Sequence, residues 1–286
     1  RKNHAIKYNK IIDTFWLREY VIMNKLAAID HPNIIKPKLI NYIRAVDGNI
    51  TQSIMMPRYN GLTSDAVSCD RDIIQITTDI LSALSTMHEN NVWHRDVKTS
   101  NVLVDSNKRA IVIDFTHSVN INKINYTLVR ETTTYSHRAP EVFNLMYCSN
   151  NEHDEHNKHN THIQYNEKID IWGVGLILFE LITGKNIFCI IKNSVRKNKI
   201  ELELYRQLNN TMNYTHKLHE IYKKYRNKNF KFYNTYWHWI KYMLHYDPAC
   251  RPSAKKMLAT ISNFVKKENI QCVFSQVNKI KISTVL

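Results

Sequence analysis

Val92-Trp93-His94-Arg95-Asp96-Val97-Lys98-Thr99-Ser100-Asn101, followed by an apolar run and then Asp114-Phe115-Thr116, is the stretch on which the reading of this chain turns. It reads as a loop with a carboxylate, an ammonium and a carboxamide at fixed offsets, and a second carboxylate beyond a strand hairpin. Such a set suits phosphoryl transfer, where a protein positions a hydroxyl, holds magnesium and neutralises phosphate charge while contributing little covalent chemistry. A lone His-Arg-Asp would be an ordinary polar turn. The whole cluster, in register with motifs further along, is not.

Working outward, Asn101 to Val104 and Ala110 to Ile113 read as short strands flanking a polar turn. Upstream, Asp70 to His88 is an amphipathic helix with Ile73, Ile76, Ile80, Leu81 and Leu84 on one side. Before it, Leu39 to Val46 and Ile50 to Met56 read as strands joined by Asp47-Gly48, a hairpin signal. His4 to Lys7 ends a strand, and Asp13 to Leu26 is a helix with Phe15, Ile22, Met23 and Leu26 at helical spacing. Asp30 to Ile35 stops that helix, because proline disfavours helix at the residue before it. Downstream, the polar segment Tyr147 to Asn166 precedes an apolar helix from Ile171 to Ile182, and further helices are expected around Tyr233 to Leu244 and Ser253 to Lys267. From Glu268 no firm pattern is read.

With 286 residues and 33.9 kDa the chain has room for one large domain or two lobes sharing a cleft. The five cysteines (Cys69, Cys148, Cys189, Cys250, Cys272) are odd in number, scattered and without a Cys-x-x-Cys pair. Reduced thiols in an intracellular protein of cytoplasm or nucleus are therefore expected, with no zinc site. The net charge of +15 admits acidic protein partners, but Lys and Arg recur from Arg1 to Lys281 without an arginine-rich arm. That spread describes a solvated basic surface, so nucleic acid is not expected as the main ligand. Ile171 to Ile182 is too short for a membrane span and contains Glu180. No secretory leader is read. The chain opens on Arg1 rather than methionine, and none of its five glycines forms a Gly-x-Gly-x-x-Gly loop. A fragment or processed form is one reading of that start, and if Arg1 is such a boundary the loop lies upstream.

The catalytic stretch resembles the protein-kinase signature His-Arg-Asp-x-x-x-x-Asn followed by Asp-Phe-Gly, with Thr116 in place of the glycine. Ala5-Ile6-Lys7 resembles the family's Val-Ala-Ile-Lys strand, and Glu19, Met23 and Leu26 match its C-helix, with Ala27-Ala28-Ile29 read as inserted. Arg138-Ala139-Pro140-Glu141 resembles the Ala-Pro-Glu segment, with Arg251 as the distant arginine that pairs with its glutamate. Asp170-Ile171-Trp172-Gly173 resembles the start of the F-helix, whose aspartate braces the catalytic loop. The chain is thus identified as similar to a eukaryotic-type protein kinase, with Lys98 in Asp-x-Lys-x-x-Asn resembling the serine/threonine form. Met56-Pro57-Arg58-Tyr59, His94 to Thr99 and Asp170-Ile171-Trp172 together resemble the serine/threonine kinases of herpesviruses and other large DNA viruses.

The resemblance implies an α+β, bilobal fold with ATP and magnesium in the cleft. Residues 1–267 would be the kinase domain, with an N-lobe to about residue 57, a hinge at about 56–60, a C-lobe from about 60 and a tail over 268–286. Asp96 would orient or accept the proton of a substrate hydroxyl and Lys98 would face the transferring phosphate. Asn101 and Asp114 would ligate magnesium, and Lys7, Glu19, Met56 and Arg58 would serve nucleotide binding. Protein substrates with serine or threonine acceptors follow. Thr127, Thr132 and Thr133 lie in the implied activation segment, where Arg95 beside Asp96 suits ordering by phosphate, while Thr134 is offset to contact the catalytic aspartate. Thr116 is expected to restrict the backbone after Asp114 compared with glycine. His153, His156, His159 and His162 recur in an Asn-rich run that lacks an apolar face and reads as a flexible insertion. The rival readings are a pseudokinase scaffold, against which Lys7, Asp96, Asn101 and Asp114 stand, and a nucleic-acid-binding protein, supported by charge alone.

Overall fold

The computed structural model describes residues 4–11, 14–44, 50–121, 134–143, 166–186, 211–227 and 229–271. Asp47-Gly48, Thr127, Thr132, Thr133, Cys148, Cys189, Cys272 and the four spaced histidines lie outside the described residues. The architecture is α+β, as the sequence leads one to expect: a strand-rich first part followed by a mainly helical one.

The first part is an antiparallel sheet of β1 (His4–Ile11), β2 (Leu39–Arg44) and β3 (Ile50–Pro57), with β3 central and α1 (Thr14–Ile29) packed beside it. β1 does not end at Lys7 as expected. It pairs with β3 from His4 opposite Pro57 to Ile11 opposite Ile50, which places Lys7 mid-strand, opposite the buried Ile54. In α1, Ile22, Met23 and Leu26 are buried. Ala27 to Ile29 form its last turn. The stop comes at Asp30, whose φ of 55° leaves the helical region, followed by Pro32.

The two parts meet through the segment after Pro32. Ile34 bridges to Val112, the Val112 amide donates to the Asn33 carbonyl at 2.8 Å, and the Asn33 carboxamide donates to the Ala110 carbonyl at 2.8 Å. Beyond β3 come β4 (Asn60–Gly61) and α2 (Asp70–Glu89), the central helix of the second part. Asp70 and Asp72 sit in the first turn of α2, where negative charge is favourable, and Ser68 donates to Asp72 from both its amide and its hydroxyl. Ile73, Ile76, Ile80 and Leu84 are fully buried, each contributing roughly 1.5–3 kcal/mol relative to exposure.

Around α2 lie β5 (Val92–Trp93), β6 (Val102–Val104), β7 (Ala110–Val112), β8 (Val119–Asn120), α3 (Lys168–Thr183), α4 (Thr211–Tyr225), α5 (Tyr233–Met243) and α6 (Ala254–Lys267). α3 is buried on nearly every side, which explains its unbroken apolar run. Ser253 caps α6 by accepting from the Lys256 amide at 3.2 Å. The sequence did not announce α4, whose buried positions are Tyr214, Leu218 and Tyr222 among lysines, histidines and asparagine.

Candidate active site

Two short ladders position the loop that opens the sequence reading. Its entry is β5, where Val92 pairs with Asn120 and Trp93 with Val119 of β8. Its exit is β6, where Val102 pairs with Val112 of β7. Because Asp114 lies between β7 and β8, these pairings bring it beside Asp96 and Asn101. The turn between them carries Arg95 at φ 69°, a left-handed conformation that a non-glycine residue adopts only when its surroundings hold it.

Asp170 supplies that hold. Its carboxylate accepts from the His94 amide at 2.9 Å and the Arg95 amide at 2.7 Å, and His88 Nε2 lies 2.8 Å from it. Burial alone would push this carboxyl up, but His88, His94 and the loop amide keep it below the usual carboxylate range. α3 also comes very close to the loop at Gly173, where a Cβ would lie 2.5 Å from the Val97 carbonyl oxygen. Any larger residue there would push the loop away.

Asp96 Oδ2 accepts from Lys98 Nζ at 2.6 Å and from Asn101 Nδ2 at 3.0 Å, and its Oδ1 accepts from the Thr134 amide at 3.0 Å. Burial opposes ionisation, yet Lys98 and Thr134 outweigh it and hold the carboxyl below its ordinary value. Lys98 Nζ also reaches Thr134 Oγ1 at 2.5 Å. Thr134 thus lies on the Asp96–Lys98 pair, the place its offset suggests. Asn101 spends its Nδ2 on Asp96, donating to the backbone carbonyl at 2.9 Å as well, which leaves its side-chain oxygen for a cation.

The second half of the site crosses to the strand-rich part. Lys7 Nζ donates to Glu19 Oε1 at 2.8 Å, Asp114 Oδ1 at 2.8 Å and Thr116 Oγ1 at 2.9 Å. Burial disfavours the ammonium, but Glu19 and Asp114 raise its pKa above the ordinary lysine value. Asp114 itself sits at φ 65°, and its carboxyl, pushed up by burial, is held well below the usual range by Lys7 and Thr116. The Thr116 hydroxyl donates to Asp114 Oδ1 at 2.6 Å. Besides any backbone restriction, Thr116 brings a side chain that glycine lacks, and its hydroxyl joins Lys7 and Asp114. Met56 is half-buried on β3 opposite Ala5, and Arg58 is exposed just past the strand's end, so neither joins this polar cluster.

Two further clusters flank the site. Arg251 donates to both oxygens of Glu141, at 2.7 and 2.8 Å, and to the carbonyls of His245, Lys168 and Tyr246. Its guanidinium also lies 4.9 Å from the centre of the Trp172 ring. The other cluster carries no signal in the sequence: the Thr99 hydroxyl donates to Glu180 across 81 positions, and His137 Nε2 lies 3.7 Å from the same carboxylate. Burial pushes Glu180 up and His137 down to about 4.

The donor set fits magnesium. Asp114 Oδ2 and the Asn101 side-chain oxygen are hard oxygen donors, and among the described residues no group of three or more His, Cys, Asp and Glu side chains could hold a metal ion. Magnesium commonly takes one or two protein oxygens and completes its shell with water and phosphate. Among the described residues no helix is long and apolar enough to cross a membrane.

A family model described as the protein kinase domain matches residues 2–261. The chain is similar to wall-associated receptor kinase-like 18 of Arabidopsis thaliana, 29% identical over 208 residues, which is 66% of this chain and 23% of that protein. It is similar to a protein of Acanthamoeba polyphaga mimivirus whose name assigns it as a serine/threonine-protein kinase, 29% identical over 273 residues, or 91% of this chain and 43% of the other. It is also similar to extracellular signal-regulated kinase 1 of Candida albicans, 30% identical over 179 residues, or 60% of this chain and 39% of that protein. The matched region spans less than half the length of each of these relatives.

Proposed function

The chain belongs to the protein kinase family, and on that premise we propose that it transfers the γ-phosphate of ATP to serine or threonine hydroxyls of other proteins. The observation that carries the reading is the convergence of Asp96, Lys98 and Asn101 in one hydrogen-bonded group, with Asp114 tied to Lys7 and Glu19 across the cleft.

In this reading Asp96, ionised at neutral pH, accepts a hydrogen bond from the substrate hydroxyl and takes its proton as the oxygen attacks. The new bond joins that oxygen to the γ-phosphorus, the bond from phosphorus to the β,γ-bridging oxygen breaks, and ADP leaves with its electron pair. Lys98 faces the transferring phosphoryl group and offsets its charge. Lys7, braced by Glu19, holds the α- and β-phosphates. Asn101 and Asp114 hold magnesium, which when bound neutralises phosphate charge.

The lobe boundaries proposed are residues 1–57 and 60–267, with a hinge at about 56–60 where Met56 and Arg58 meet the nucleotide, and a tail over 268–286. The serine/threonine assignment is supported by Lys98 on Asp96 and Thr134, and by the names of the mimivirus and other relatives. The mimivirus relative also supports a viral origin. Exposed, unbridged Cys69 and Cys250 support an intracellular setting, and the +15 charge supports acidic protein partners. The test is incubation of the protein with labelled ATP, magnesium and a generic acceptor protein, with phosphoamino-acid analysis of the product. Label on serine or threonine is expected. Label on tyrosine alone, or none, would overturn the proposal.

A further inference from the structure

Thr116 stands where the family motif has glycine, and its side chain is built into the polar bridge across the cleft. An ammonium has three hydrogens to give, and Lys7 points them at Glu19, Asp114 and Thr116 at 2.8, 2.8 and 2.9 Å. Lys7 can hold a phosphate only by releasing one of them.

Which one is released follows from burial and from what each partner keeps. Glu19 is 1% exposed, so giving up the ammonium would break a buried ion pair. Asp114 is 35% exposed on its side chain and has other donors at hand. The Thr116 hydroxyl gives its proton to Asp114 Oδ1 at 2.6 Å, and the Thr116 amide reaches the same oxygen at 3.4 Å. All of these contacts fall on Oδ1, which leaves Oδ2 without a hydrogen-bond partner among the described residues. Asp114 itself sits at φ 65°, in the left-handed region.

We propose that the Thr116 hydroxyl is a positioning group that keeps the Asp114 carboxylate aimed at magnesium when nucleotide phosphate draws Lys7 away. This rests on the kinase reading of the site. Before nucleotide arrives, Lys7 and Thr116 share the task. Afterwards Thr116 carries it, with its proton still on Oδ1. Glycine at 116 would offer only the long amide contact. Thr116 therefore does by a side-chain hydrogen bond what the glycine of the family motif has no side chain to do.

The test uses the full chain and three variants: Thr116→Val, which keeps the shape and loses the donor, Thr116→Ser, which restores the donor, and Thr116→Gly, which restores the family residue. Calorimetry with ADP, with and without magnesium, reads the metal-dependent part of binding. Thr116→Val should lose the magnesium-dependent gain in ADP affinity by about tenfold or more, the range for a hydrogen bond to a charged group. Its magnesium-free affinity should stay within about twofold of the parent. Thr116→Gly should follow Thr116→Val, and Thr116→Ser should follow the parent. Equal magnesium dependence in parent and Thr116→Val, or a Thr116→Ser variant as impaired as Thr116→Val, overturns the assignment. A parent that binds no ADP sinks the kinase reading and the magnesium role together. A parent that binds ADP, beside an unaltered Thr116→Val, sinks the Thr116 role alone.

Discussion

The braces behind the catalytic loop and the bridge in front of it use the same residue types in opposite ways. Asp170 and Arg251 are 1% and 2% exposed, and their partners are largely backbone: two loop amides for one, three carbonyls for the other. Lys7 and Asp114 have side chains 27% and 35% exposed, and their contacts run mainly between side chains. A backbone partner cannot be exchanged without unfolding something, whereas a side-chain partner at the edge of water can be traded for a ligand. Permanence therefore belongs to the braces, and exchangeability to the bridge.

The largest effect that would sharpen this contrast is on stability. Arg251→Met should cost about 3–5 kcal/mol, because it leaves the Glu141 carboxylate and three carbonyls without their donor inside the fold. Urea unfolding measures it. A loss below about 1 kcal/mol would mean that the brace is as exchangeable as the bridge.

Next comes Asp96→Ala, which should lower phosphate transfer at least a hundredfold, about 2.7 kcal/mol in barrier, while shifting the unfolding midpoint less than Arg251→Met does. Steady-state transfer to a protein acceptor decides it, and undiminished turnover would move the base elsewhere. Asp114→Asn should act more narrowly. With one anionic ligand of a hard cation made neutral, magnesium-dependent ADP affinity should fall about tenfold with little change without the metal. Equal affinities in calorimetry would remove Asp114 from the metal site.

How much of this could be read beforehand depends on how local each interaction is. Asp96, Lys98 and Asn101 fall within six residues, so their chemistry is legible from spacing, and Asp114 is one hairpin away. Glu19 was found by its offset from the apolar positions of α1, although the run of β1 to Ile11, set by its pairing with β3, was not. α4 escaped because its buried face is built from Tyr214, Leu218 and Tyr222, two of them residues with polar tips, so no apolar period stands out. The Thr99–Glu180 contact spans 81 positions and depends on how α3 crosses the loop, which no local pattern encodes. Thr116 is legible as a departure from glycine, but the contacts of its hydroxyl are not, because they depend on Lys7, 109 positions away, lying beside it.

The smallest effect tests whether a brace can be broken by protons rather than by mutation. His31 sits where the two parts of the chain join, with Nδ1 accepting from the Asn33 amide at 3.1 Å and Nε2 3.1 Å from the Ser82 hydroxyl. Accepting at Nδ1 requires the neutral ring, and burial, with the Arg109 charge, lowers the imidazole from 6.5 to about 4. Between those values the unfolded chain binds a proton that the folded chain does not, so stability is full above pH 6.5 and declines as pH falls through that window. From pH 7 to pH 5.5 the loss attributable to His31 should be about 1 kcal/mol, at 1.36 kcal/mol per pH unit below the unfolded pKa. His31→Gln, which can still accept from Asn33 and donate to Ser82 but does not titrate, should lose correspondingly less. His137, also held at about 4, remains in both proteins and so cancels from the comparison. Urea midpoints of the two proteins at pH 7 and 5.5 give the answer: parallel declines would show that the junction tolerates a charged ring, and that saturation by neutral partners is not what fixes it.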